Sequence, residues 1–176
     1  MRWDTHALIG VNSLWVLMAF PQAVTIDNIG FLAVSATFGA LLPDLDAADS
    51  KIKYLSVAGI KPFVLPSAAL HQALGHRGLL HSFMGLGVIS IIAGPLAFWF
   101  WWPWEIITAL ILGYTSHLAA DACTRSGVRV LYPNQQSHYL PPHRFRLMTG
   151  SIAEQVLLPF LIAAVLVLLL GYLPPY

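Results

Sequence analysis

The sequence predicts an all-α integral membrane protein: one domain, residues 1–176, built as a bundle of about five transmembrane helices, with the N-terminus cytoplasmic and the C-terminus outside. Three observations predict it. Composition is the first: 57% of residues are hydrophobic, 10% are charged and mean hydropathy is +0.70, more apolar than the core of a soluble domain this size requires. Five separate apolar runs are the second. The third is charge placement, because the nine basic residues all fall on one side of a five-span arrangement: Arg2, then Lys51, Lys53, Lys61 and Arg77, then Arg125, Arg129, Arg144 and Arg146. The other side carries "FWFWWPW" (98–104), Tyr172 and Tyr176, the aromatic composition of a membrane interface. By the positive-inside rule the basic side is cytoplasmic, and an even number of spans breaks the segregation.

The runs follow in order. Span one, 5–20, comes after Arg2 and has the outline of a signal peptide, but "FPQAV" sets Pro21 close to any cut, so the segment is expected to be retained. Span two, 28–42, ends at Pro43. Both are nearer 15 residues than the ~20 that cross ~30 Å of hydrocarbon, so they are expected to tilt little, to thin the bilayer or to pair as a short hairpin. Residues 44–78, with Pro62 and Pro66, are too polar and broken to span and predict a loop with an interfacial helix. Spans three, four and five, at 79–101, 104–122 and 152–173, have full length. Ser82 is the expected N-cap of span three, and "SIAE" from Ser151 to Glu154 is a capping box for span five.

Residues of unusual type for such spans gather at the basic end. His6 opens span one, Asp44 and Asp46 in "LLPDLD" close span two, His76 and His81 flank the start of span three, His117 and Asp121 in "HLAAD" close span four, and Glu154 opens span five. If the helices bundle, these groups converge. His117 and Asp121 are four apart and share a helix face, where two side chains can hold one ion. The single cysteine, Cys123, leaves no internal disulfide and no thiolate cluster, so any metal uses nitrogen and oxygen ligands. The candidates exceed what one ion takes, and three aspartates with Glu154 approximately balance two divalent cations; two metals are therefore expected, zinc foremost, with manganese or iron also suited. Arg77, Arg125 and Arg129 lie near enough in sequence to pair with phosphate.

Each piece also has an ordinary reading. His6 suits an interface, "PDLD" suits a turn, His117 and Asp121 can bond each other, and Glu154 can serve the capping box alone. Arg144 and Arg146 follow the positive-inside rule, while His71, His138 and His143 are read as loop residues outside the ligand set. What lifts the set is its placement at one end of every span. A net charge of +1 without a basic stripe argues against a nucleic-acid partner. Transport is disfavoured because the span centres carry only Asn12, Ser13, Ser35, Thr37 and Ser90, without a charge.

The ordered motifs "THALIG" (5–10), "LLPDLD" (41–46), "HRGLLHS" (76–82), "HLAADACTRSGVRVLYP" (117–133) and "TGSIAE" (149–154) resemble those of the inner-membrane, LexA-regulated metal-dependent hydrolases of the YdjM type. The resemblance covers nearly the whole chain. It implies a metal and catalytic set of His6, Asp44, Asp46, His76, His81, His117 and Asp121, with Glu154 a further candidate. The expectation is a multi-pass inner-membrane hydrolase of a phosphate ester, with a lipid as the expected substrate, with Asp46, Arg77 and Glu154 in catalytic roles and Arg77, Arg125 and Arg129 binding substrate. The alternative is a non-catalytic regulator or scaffold whose helices a metal ties together.

Overall fold

The computed structural model describes residues 1–46 and 78–172. His76 and Arg77 lie outside the described residues, as does the loop around Pro62 and Pro66, and so does the side chain of Asp46. Among the described residues the chain is all-helical, with five α-helices and no strand: α1 Trp3–Asn12, α2 Ile29–Leu41, α3 Phe83–Trp99, α4 Trp104–Ala122 and α5 Ile152–Leu170.

Where the helices depart from the expected spans, local chemistry gives the reason. After Asn12 the chain tightens into a 3-10 segment, Ser13–Ala19, and α2 likewise passes into a 3-10 turn, Leu42–Asp46, beside Pro43. Ten α-helical residues at ~1.5 Å and seven 3-10 residues at ~2.0 Å still extend about 29 Å. The third helix begins only at Phe83, because Ser82 is extended and its hydroxyl accepts the Gly85 N–H at 3.2 Å; Leu79–His81 is a separate 3-10 turn. One described helix, α5, with mean hydropathy 2.4, is long and apolar enough to cross a membrane; Ile29–Leu45 and Phe83–Trp99 are apolar but shorter. α4 has the length, but carries Glu105, His117 and Asp121.

α2 and α4 form the most extensive helix pair. Their backbones touch: a Cβ on Gly39 would lie 2.1 Å from the Leu110 carbonyl oxygen, and one on Gly113 2.0 Å from that of Ala36. Two apolar cores result. One joins Leu14, Leu17, Leu32, Ala36, Ala109 and Leu168; the other, toward the polar end, joins Leu42, Leu45, Leu80, Tyr114, Leu118 and Val128. Outward faces are apolar too, with Phe31, Ile91, Phe160 and Trp101 exposed. Such a surface suits hydrocarbon rather than water.

Candidate metal centre

The N-terminal ends of α1 and α5, the turn before α3 and the C-terminal ends of α2 and α4 meet at one end of the bundle. Arg2 N–H reaches Glu154, His81 reaches Asp44, and His6 reaches Asp121. This brings together His6, Asp44, His81, His117 and Asp121, five of the residues singled out in the sequence. His6 Nε2 lies 3.3 Å from Asp121 Oδ1, and His81 Nε2 lies 3.3 Å from Asp44 Oδ1. The His6 and His117 rings stack at 3.8 Å, with His81 edge-on to His117 at 5.2 Å. All three imidazoles and Asp121 are buried, whereas the Asp44 side chain keeps 25% exposure.

Whether these donors suit a cation is decided at His117. Its Nδ1 lies 2.7 Å from the Ala40 carbonyl oxygen, and a carbonyl only accepts, so Nδ1 carries the proton. In the neutral ring Nε2 is then a bare lone pair. That atom is buried without a hydrogen-bond partner among the described residues, 3.7 Å from Asp121 Oδ2 and 3.9 Å from Asp44 Oδ1. A lone pair facing two carboxylates is repulsive, and the Met1 ammonium sits on the other oxygen of Asp121, Oδ1, so a cation held between Nε2, Asp121 Oδ2 and Asp44 Oδ1 would relieve it. Ligands of a tetrahedral ion with bonds of ~2.0–2.1 Å stand about 3.3 Å apart, close to the His6–Asp121 and His81–Asp44 separations. The Ala40 carbonyl thus orients the imidazole, as the outer partner of a metal-binding histidine does.

Two triads, His6–Asp44–His117 and His81–His117–Asp121, each place their donor atoms within 4.8 Å of one another. Both use His117, which has only Nε2 to give. The triads therefore share one histidine, and two further candidates, the side chain of Asp46 and His76, lie outside the described residues. The α-amino group of Met1 also reaches the cluster, 2.9 Å from Asp121 Oδ1.

Glu154 does not join it. Its carboxylate is buried and accepts the Arg2 N–H at 2.7 Å and the Thr5 hydroxyl at 2.9 Å through Oε1, and the Gly150 N–H at 2.6 Å through Oε2. Ser151 accepts the Glu154 N–H at 3.4 Å, the first half of the expected capping box; the reciprocal half goes to Gly150 instead. Glu154 therefore fastens the start of α5 to that of α1. Arg125 is exposed, and Arg129 is half-buried beside a cavity next to His81. His138 and His143 stay outside the donor groups, and His71 lies outside the described residues. An apolar groove of about 450 Å³ lies between α2, α3 and α4; it is lined by Phe38, Leu42, Ile89 and Leu110 and so starts in the 3-10 turn that holds Asp44.

A family model described as YdjM inner membrane protein matches residues 1–174. The chain belongs to the YdjM inner membrane protein family. YvsG of Bacillus subtilis, a protein named as uncharacterised, is 31% identical over 159 residues, covering 90% of this chain and 88% of YvsG. The inner membrane protein YdjM of Escherichia coli and that of Shigella flexneri are each 34% identical over 116 residues, covering 61% of this chain. The match spans 52% of each of those two, about half their length. No solved structure matches. YdjM-family membership agrees with the motif resemblance. One contributor carried no sequence signal: the Ala40 carbonyl, because any residue supplies one.

Proposed function

We propose that this YdjM-family chain is a multi-pass inner-membrane hydrolase that uses a divalent metal to cleave a phosphate ester at the cytoplasmic membrane face. The observation that carries the reading is the bare, buried Nε2 of His117 facing the Asp44 and Asp121 carboxylates. An ion would draw its ligands from His6, Asp44, His81, His117 and Asp121, and zinc, which in catalytic sites takes three such imidazole and carboxylate ligands and keeps one position for water, suits the set. A bound divalent metal supplies Lewis acidity and a water that ionises near neutral pH. Asp44, the one donor that keeps solvent exposure, would mark the side from which water and substrate enter, while His6, His117 and Asp121 are buried behind it. Arg129 contributes a guanidinium suited to phosphate oxygens.

The lipid reading draws support from the apolar groove that reaches Leu42, two residues before Asp44 in the chain, which would seat an acyl chain with its headgroup toward the donors. Cytoplasmic placement rests on the nine basic residues and on the exposed Phe98, Trp99 and Trp101 at the α3–α4 turn, which would lie at the opposite interface. The rival, a metal that only ties helices together, draws on the burial of four of the five donors. A panel of phosphoesters assayed with and without chelator separates them: chelator-sensitive turnover supports the hydrolase, while metal-bound protein that cleaves nothing and unfolds on chelation supports the structural role.

A further inference from the structure

Beside His81 lies a cavity of about 70 Å³ lined by Ser126, Gly127, Val128, Arg129 and Ser137. We infer that this cavity is a subsite for a terminal phosphoryl group, so that the chain acts on phosphomonoesters rather than diesters. The inference rests on the hydrolase reading for turnover, but not for phosphate binding itself.

Size is the first argument. One water needs roughly 10–15 Å³ of such space, so the cavity takes about five to seven water-sized atoms. That is the scale of a phosphoryl group with three free oxygens and an attacking water, whereas the second ester arm of a diester would take the place of one of those oxygens and displace the water or project from the mouth. Rigidity is the next. Gly127 has φ +66°, and a Cβ there would stand 2.6 Å from the Tyr139 ring, so the turn needs glycine. Val128 and His138 exchange backbone hydrogen bonds at 3.2 and 2.8 Å, and the Phe83 N–H donates to the Val130 carbonyl at 2.9 Å. The wall is thus tied to the chain two residues beyond His81.

Charge gives the sign of the ligand. Arg129 donates through Nη1 to Gln135 at 2.6 Å, a neutral partner, and among the described residues no carboxylate pairs with it. Its remaining N–H groups are available to an anion. The Thr124 hydroxyl donates to the Asp121 carbonyl at 2.7 Å, so Ser126, 2.8 Å from it, donates to Thr124. Ser126 is left as an acceptor, suited to a phosphoryl O–H or the incoming water, and Ser137 brings a second hydroxyl. In the reaction, water forms a bond to phosphorus, the bridging P–O bond breaks, the water's proton passes to the leaving alkoxide, and alcohol and orthophosphate are released.

The test uses the full chain, purified in detergent with its metal. Calorimetric titration with inorganic phosphate should show binding that Arg129→Gln weakens at least tenfold, that Arg129→Lys partly restores, and that the control Arg144→Gln leaves unchanged. Ser137→Ala, expected to weaken it severalfold, serves if the Arg129 variants do not fold. In parallel, p-nitrophenyl phosphate and phosphatidate in mixed micelles should be cleaved with kcat/KM at least tenfold above bis(p-nitrophenyl) phosphate and phosphatidylglycerol. Preference between the two monoesters tells a soluble source from a lipid headgroup. Arg129-dependent phosphate binding without any cleavage upholds the subsite and overturns the hydrolase reading. Phosphate affinity indifferent to both Arg129 and Ser137, or diesters cleaved as well as monoesters, overturns the subsite and leaves a hydrolase.

Discussion

Replacing Glu154 with glutamine separates fold from chemistry at the residue for which the sequence left both readings open. The carboxylate receives three donors, from Arg2, Thr5 and Gly150, at 2.6–2.9 Å. An amide can keep its oxygen toward Arg2 and Thr5 only by turning its NH2 toward the Gly150 N–H. One bond is lost and a buried donor is stranded, costing about 1–3 kcal/mol, and the two surviving bonds lose charge assistance, ~1 kcal/mol each. Relief from burying a charge offsets part of this, leaving a net loss of about 2–4 kcal/mol. Unfolding of wild type and Glu154→Gln in the same detergent measures it, with metal content determined on both samples. The expected outcome is lower stability, unchanged metal and nearly unchanged turnover of the folded fraction. Unchanged stability with a hundredfold fall in turnover would refute this reasoning and return Glu154 to the catalytic role that the sequence suggested.

Further outcomes follow from other contacts. Gly113→Val drives side-chain atoms into the Ala36 carbonyl, so it should cost more than about 3 kcal/mol or abolish folding, whereas Gly87→Ala, inside α3 with nothing within 4 Å, should stabilise by about 0.5–1 kcal/mol in the same unfolding assay. A reporter fused after Tyr176 should register outside the cytoplasm; a cytoplasmic signal would contradict five crossings. Asp44→Asn keeps the shape of the most exposed donor but removes its charge, and should lower metal affinity at least tenfold, read by competition with a chromogenic chelator.

Much of the fold was legible because the hydrophobic runs are bounded by residues with fixed meaning. Pro103 and the polar "DACTRSG" bracket α4, whose bounds agree with span four, and Ser82 and Ser151 cap as their sequence context implies. The 3-10 segment Ser13–Ala19 was not legible, since an all-apolar run has no polar face to report its period. The cluster was legible because imidazoles and carboxylates are costly in apolar helices and rarely stand there without a partner. Glu154 is the one counted donor that the fold commits elsewhere, to Arg2, Thr5 and Gly150, while Asp46 and His76, which the count of two ions also used, lie outside the described side chains. Contacts like Thr5 to Glu154, 149 residues apart, appear only when α1 and α5 are side by side.

The central claim is that His117 Nε2 and its carboxylate neighbours hold a divalent ion. Elemental analysis of wild type and His117→Ala, purified side by side without chelator and both checked for helical content, tests it most directly. At least one divalent ion per wild-type chain, falling to near zero in the folded variant, is the predicted result. Wild-type protein that is folded and metal-free, and stays so when titrated with zinc, manganese and iron, or a His117→Ala variant that retains full metal content, would contradict it.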